Sequence, residues 1–348
     1  MKTLVWEGPE VMRIRERKEP RAKPGWAVMR VGAVGLCGSE LGAYLGHNEL
    51  RVPPLIMGHE WAGVVEDVDP GDDTAWVGMT VTVNPLVTCG RCRACRRGER
   101  NLCQTRRIIG IDFPGAFAER VAVPLTALLP VQDPTLGALV EPLACAVRVI
   151  EQGQVRPGDR VLVFGAGIIG LMSAWMARQA GAASVAVTDP NPVRLQQART
   201  WGANILVDAG EAQITDQLGE AWGDGPDVAL DAAGTAGTRA EAASLVRRGG
   251  RVVLVGLHEA AAPLPGNRLV RDEVTVTGSF CYTDENFRVA RDLVDRGAMP
   301  EGAGWLDVRP LGAGAEAFHE QTHGRAPFAK ILFQPGIDAL DGLQGTAK

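Results

Sequence analysis

Four cysteines, Cys89, Cys92, Cys95 and Cys103, fall within the fifteen residues CGRCRACRRGERNLC. Thiols this close in sequence cannot tie distant parts of a domain together. Their plausible use is to grip one tetrahedral metal ion, zinc above all, and to fix a surface lobe over about residues 86–107. Four thiolates fill the shell of such an ion and leave no position for a reactant. A metal that does chemistry in this chain must therefore be held elsewhere.

The chain has 348 residues, 46% of them hydrophobic and 22% charged, enough for two globular domains with substantial cores. A formal charge of −5 gives no general attraction to nucleic acid or to an anionic membrane. The cysteine lobe is locally basic through Arg91, Arg93, Arg96, Arg97 and Arg100, which reads as a solvated face. Glu7 and Pro9 stand where a signal peptide needs an apolar core. The longest uncharged run, 161–177, is shorter than the ~20 residues of a membrane span and is broken by Gly165, Gly167 and Gly170. The expectation is a cytoplasmic protein whose seven cysteines are metal ligands or core rather than disulfides.

From about Arg160 the apolar runs RVLVFGAG, SVAVTDP, ANILVDAG, PDVALDAAG, GGRVVLVGL and EVTVTGSF alternate with helical stretches. Runs with so little polar alternation predict buried parallel strands, and their rhythm predicts a doubly wound α/β sheet. The first 145 or so residues differ. Segments such as WAVMRVGAVG, EWAGVVEDV and MTVTVNP predict antiparallel β structure with no sustained helical period. The tail from about Asp284 opens with the amphipathic ENFRVARDLVDRG and closes with AKILFQP, a strand expected to complete a sheet of the first domain.

Gly165, Gly167 and Gly170 form G-x-G-x-x-G after the first α/β strand and at the mouth of a helix, with Ile168 and Ile169 between them. That context predicts a dinucleotide site: a tight turn, a backbone open to pyrophosphate, and close packing of helix on strand. Asp189, 24 residues beyond Gly165, stands where an acidic group binds ribose hydroxyls, which favours NAD over NADP. Arg194 lies close by, over the adenine or beside a 2′-phosphate. Capping of the turn at Pro190 is the bland role for Asp189.

Cys37 in GLCGSE, His59 and Glu60 in MGHEWAG, and Glu141 in LVEPLAC are competent zinc ligands. Thiolate, imidazole, carboxylate and water together make an open catalytic site. Singly, each has a plainer role: a core thiol, a satisfied imidazole, a carboxylate at a helix start.

Together, GLCGSE, GHEWAG, CGRCRACRRGERNLC, GAFAER and GAGIIG make nearly the whole chain similar to the zinc-dependent medium-chain alcohol dehydrogenase family, and within it to the sorbitol, or polyol, dehydrogenase branch. The resemblance implies a GroES-like catalytic domain from residues 1–147 and 284–348, with a Rossmann domain of residues 148–283 inserted. It implies two zinc ions per chain, one structural at the four cysteines and one catalytic. For the second, Cys37 and His59 are ligands, Glu60 is a ligand or close partner, and Glu141 falls where polyol-type members carry glutamate. Ser39 matches the hydroxyl that takes the alcohol proton. A homodimer or homotetramer and a small-molecule alcohol or polyol substrate are further family expectations, with no nucleic-acid or membrane partner. Glu40 departs from the aspartate of many relatives, and Gly42 from the histidine some use as a proton relay. His47 is a distant substitute for it, and Tyr44 either lines the cleft or packs.

The expected reaction is oxidation of a secondary alcohol on a polyol or sugar-like substrate to a ketone, with hydride transfer to NAD. A threonine-type or sugar-phosphate dehydrogenase is the alternative; a phosphate would want an arginine, for which Arg51 and Arg120 are the candidates. A remote alternative is an iron-sulfur module, since Cys89, Cys92 and Cys95 copy C-x2-C-x2-C, but seven residues then intervene before Cys103 and no proline follows it. A nucleic-acid module on the arginine-rich lobe and a zinc-free reductase are disfavoured by the acidic balance and by the presence of the ligands.

Overall fold

A computed structural model describes residues 1–48, 50–210, 213–219, 222–301, 304–324 and 327–336. The run WAVMRVGAVG becomes the strand Trp26–Gly35, at the centre of a seven-stranded sheet. One of its edges pairs antiparallel with Trp61–Val68, the other with Arg120–Pro124 and, at Gly35 and Val34, with Lys330–Gln334. Thr80–Val83 and Leu128–Pro130 extend the sheet past Trp61–Val68, and Leu306–Pro310 runs parallel to Lys330–Gln334. Segments from both ends of the chain thus share one sheet. Its core joins them as well: Phe117 meets the rings of Phe318 and Phe333 edge-on at 6.0 and 5.5 Å. Complete burial of such a ring is worth ~1.5–3 kcal/mol, which outweighs any surface contact between these segments.

This unit comprises Met1–Glu141 and the chain from Thr283 onward. It contains short helices that the sequence reading did not anticipate: Gly38–Tyr44, Arg93–Arg96 and Pro134–Gly137. Each has at most seven residues, too few for an apolar stripe of period 3.6 to register. Local chemistry starts them instead; Asp133, for example, caps Pro134–Gly137 by accepting from the Thr135 and Leu136 N–H groups.

The second unit, Pro142–Tyr282, is built on six parallel strands. In chain order they are Arg160–Phe164, Ser184–Asp189, Ile205–Asp208, Val228–Asp231, Arg251–Leu254 and Thr275–Gly278. Their spatial order is third, second, first, fourth, fifth, sixth. The order reverses beside the first strand, and in such sheets the carboxyl ends at this switch point are where ligands bind. The helix Ile168–Gln179 follows the first strand directly. The chain enters this unit at Pro142, inside the helix Val140–Gly153.

Among the described residues, no helix is long and apolar enough to cross a membrane.

Candidate active site

The register of three neighbouring strands assembles the first site. Val34 pairs with Trp61, and the Gly35 N–H donates to the Glu60 carbonyl at 2.7 Å, so Cys37 leaves one strand beside the point where His59 and Glu60 enter the next. Ligand atoms of Cys37, His59 and Glu60 lie within 4.8 Å of one another. Close approach is possible because Gly35 has no side chain: a Cβ there would stand 2.3 Å from Glu60 Oε2 and 2.8 Å from Lys330 Cε.

Glu40, at the start of Gly38–Tyr44, organises this group from complete burial. Its Oε2 accepts from the Cys37 N–H at 3.0 Å, and its Oε1 from the Gly58 N–H at 2.8 Å. The same Oε1 stands 2.9 Å from His59 Nδ1. With Nδ1 so engaged, Nε2 is the nitrogen left for a metal, and the carboxylate fixes the imidazole's orientation. Burial alone would raise the Glu40 carboxyl, but His59, Arg51 and the Cys37 N–H bring it below the ordinary range. Burial likewise disfavours a charged His59, yet Glu40 and Cys37 carry its pKa well above the ordinary value. The pocket therefore calls for positive charge, which a divalent ion supplies in place of a proton.

Ser39 Oγ donates to Cys37 Sγ at 3.3 Å. Arg51 stands behind it, donating from Nη2 to Ser39 Oγ at 3.1 Å and from Nη1 to the Ser39 carbonyl at 3.3 Å. Lys330, fully buried, donates from Nζ to Glu60 Oε2 and, at 3.0 Å, to the Leu36 carbonyl. Sequence reading passed over Lys330; its one signal was a charge heading the otherwise apolar AKILFQP. Glu141 is buried at the start of Val140–Gly153 and is not one of the three groups drawn within 4.8 Å. Tyr44 packs on Phe318 at 5.3 Å, and His47 is exposed. Arg120 is bound to Glu66 and Glu19.

The four cysteines of the lobe also converge, with all sulfurs within 4.8 Å. Cys92 to Cys95 is 3.5 Å, Cys89 to Cys103 is 3.6 Å and Cys89 to Cys95 is 3.9 Å. A zinc ion with Zn–S of about 2.3 Å sets tetrahedral sulfurs about 3.8 Å apart, so one ion fits and a multi-iron cluster does not. Arg100 ties the lobe down through Thr88 Oγ1 at 2.9 Å and Asp284 Oδ2 at 3.5 Å. Cys145 and Cys281 are half-buried and belong to neither group.

In the second unit the GAGIIG turn has the form a phosphate cradle needs. Gly165 adopts φ +98°, and a Cβ on Gly170 would lie 1.8 Å from the Gly165 carbonyl. Gly167 caps Ile168–Gln179, whose first N–H groups, those of Ile168 and Ile169 included, lack intrahelical acceptors. Asp189 Oδ2 accepts from the Ala166 N–H and Oδ1 from the Asn191 N–H, both at 2.8 Å. It thus braces the turn, and each oxygen keeps a lone pair. Arg194 is half-buried in the first turn of Pro192–Gln197.

Comparison with known proteins agrees with this geometry. An alcohol dehydrogenase GroES-like domain matches residues 23–133, and a zinc-binding dehydrogenase domain matches residues 169–296. The L-galactonate-5-dehydrogenase of Escherichia coli strain K12 is 31% identical, covering 86% of this chain and 88% of that one. The chain belongs to the zinc-dependent medium-chain alcohol dehydrogenase family. The sorbitol dehydrogenase of Bacillus subtilis strain 168 is also 31% identical, over 82% of this chain and 83% of that one. A solved alcohol dehydrogenase of Escherichia coli CFT073, complexed with NADH, has a TM-score of 0.89 at 28% identity and covers 96% of this chain and 99% of that one. This family member is accordingly an oxidoreductase for small molecules, with a GroES-like and a Rossmann domain, that uses zinc and a nicotinamide dinucleotide.

Proposed function

We propose that this dehydrogenase oxidises a secondary alcohol of a polyol or sugar-like substrate to the ketone with NAD as hydride acceptor, and that residues 1–147 with 284–348 form its catalytic domain and 148–283 its cofactor domain. The observation that carries the reading is the gathering of Cys37, His59 and Glu60 within 4.8 Å, with Ser39 at 3.3 Å from Cys37 Sγ. Zinc held by these side chains would supply the Lewis acidity that makes a substrate hydroxyl easier to deprotonate, and a bound nicotinamide would supply the hydride acceptor. Cys37, His59 and Glu60 would hold the metal, and Glu141 is the candidate for a further ligand, direct or through water.

Glu40 keeps His59 Nδ1 occupied, which reserves Nε2 for the metal. Ser39 receives the proton of the substrate hydroxyl. Gly42 offers no side chain to pass it on and His47 is exposed, so the proton leaves to water. Gly165, Gly167, Ile168, Ile169 and Gly170 present backbone to the pyrophosphate, and the remaining lone pairs of Asp189 meet the ribose hydroxyls, which favours NAD. Arg194 covers the adenine. A homodimer or homotetramer is the working assembly.

The test is NADH formation by the zinc-loaded enzyme against polyols, simple alcohols, aminohydroxy acids and phosphorylated polyols, before and after chelation. Turnover of a polyol or sugar-like alcohol that chelation abolishes is the expected result. Turnover that survives removal of both metals, or that Cys37→Ser leaves intact, refutes it. Threonine or a phosphorylated polyol as the best substrate replaces the substrate assignment.

A further inference from the structure

The carboxyl end of the fourth strand, Val228–Asp231, lies against the glycine turn at the switch point. Asp231 is in register with Phe164, and a Cβ on Gly165 would stand 3.1 Å from the Ala233 nitrogen. The segment that follows the fifth strand, Arg251–Leu254, is laid directly on this wall. The Asp231 carbonyl accepts from the Val255 and Gly256 N–H groups at 3.0 and 2.9 Å, and the Gly234 carbonyl accepts from the Glu259 N–H at 2.9 Å. Gly234 and Gly256 meet so closely that a Cβ on either would stand 2.4 Å from the other's backbone. Arg239, on the helix Ala236–Leu245 and only 8% exposed, fastens the outer segment at two points. Its Nη1 donates to the Glu259 carbonyl at 2.7 Å and its Nη2 to the Gly256 carbonyl at 2.9 Å. Asp231, wholly buried, seats it: Oδ2 stands 3.6 Å from Arg239 Nε, while Oδ1 accepts from the Gly234 N–H and from Thr238 Oγ1. Apolar packing would hold these segments together at no greater cost, since a buried ion pair adds little net stability. What the guanidinium fork adds is one fixed shape for residues 255–259.

We infer that Arg239 is a positioning residue for the cofactor: it keeps residues 255–259 in the shape that receives the half of the dinucleotide opposite the adenosine. The inference rests on the dinucleotide lying across the crevice of this sheet as proposed above, with Asp189 of the second strand on the adenosine side. The fourth and fifth strands belong to the other mononucleotide-binding half of such a sheet, so segments at their carboxyl ends meet the other half of the ligand. A segment already in its binding shape spares the ligand the cost of ordering it. Without the fork, the Gly256 and Glu259 carbonyls lose these donors and the segment samples other shapes. If the receiving shape then holds about one-tenth of the time, the dissociation constant rises about tenfold.

The experiment is calorimetric titration of zinc-loaded wild type, Arg239→Gln and Arg239→Lys with NADH, or with NADPH should the wild type bind only that, and with ADP. ADP has the adenosine and both phosphates but nothing of the other half. Binding is read without turnover, so the identity of the alcohol does not enter. Arg239→Gln is expected to raise Kd for the reduced cofactor about tenfold and to leave Kd for ADP within about twofold of wild type. Arg239→Lys keeps the charge beside Asp231 but has one nitrogen in place of two, and its cofactor Kd is expected between the other proteins. A role confined to holding the fold together would move both ligands by one factor or move neither. Equal factors for cofactor and ADP, or an unchanged cofactor Kd in both variants, therefore overturns the inference. Should Arg239→Gln fail to fold, Arg239→Lys decides by the same comparison. Cofactor bound by wild type and equally by the variants removes the role of Arg239 alone, whereas a wild type that binds neither NADH nor NADPH removes the cofactor placement and the inference with it.

Discussion

Replacing Glu40 by glutamine deletes one interior charge and barely alters shape. The amide oxygen can still serve Gly58 and His59 from the Oε1 position, where the two distances are 2.8 and 2.9 Å. The amide NH2 then faces the Cys37 N–H, which now donates to Oε2 at 3.0 Å, and two donors confront each other. A hydrogen bond to a charged acceptor is worth ~1.5–3 kcal/mol, and a buried donor left unsatisfied costs ~1–3 kcal/mol more. A total of ~3 kcal/mol is expected, the low end of what breaking a buried charge pairing costs. At about 2–4 °C per kcal/mol for a unit of this size, Tm should fall by ~6–12 °C. Catalytic zinc affinity, read by competition with a chelator, should fall ~10–100-fold as His59 loses its orienting charge. The pH dependence adds a sign. The folded-state pKa of Glu40 is depressed, so its contribution is present above the unfolded pKa and disappears as pH falls through the folded one. The Tm gap between wild type and Glu40→Gln must therefore be widest near neutrality and close in acid. Equal Tm and zinc affinity at neutral pH, or a gap that widens on acidification, would refute the reasoning.

Lys330→Met strands the Glu60 carboxylate in a dry interior and should cost ~3–5 kcal/mol, seen as a lower urea midpoint at unchanged m-value. Lys330→Arg, which keeps the charge, should lose less. In the cysteine lobe, the Arg91 and Cys92 N–H groups pull the Cys89 thiol down to about 6, whereas burial holds Cys95 up at about 11. After chelation at neutral pH, an alkylating reagent followed by peptide mass spectrometry should therefore mark Cys89 first and Cys95 last.

The six parallel strands could be read from sequence because both of their faces are covered, and an uninterrupted apolar run needs no knowledge of its neighbours. The two cysteine-containing motifs were legible for a similar reason: Cys89, Cys92, Cys95 and Cys103 are local, and Cys37, His59 and Glu60 keep spacings that carry a family resemblance. What escaped depends on register. Lys330 reaches Glu60 only because Lys330–Gln334 lies against Gly35 and Val34, a pairing no local pattern announces. Arg51 was named only as one of two candidates for a substrate phosphate, and its burial with hydrogen bonds to Ser39 is visible only in the structure. Glu40 was noticed as a departure from aspartate, but its three-way grip on Cys37, Gly58 and His59 needed coordinates. The short helices went unseen because a cap, not a periodicity, creates them.

Glu60 and Lys330 are separated by 270 positions along the chain, and all of Pro142–Tyr282 is made between them. A ribosome therefore exposes the thiol, the imidazole and the acid long before it delivers the ammonium that balances them. Until that last ribbon is laid down, the cradle for the metal carries surplus negative charge and has an open flank. Truncation upstream of residue 330 would thus damage the reaction centre from a distance.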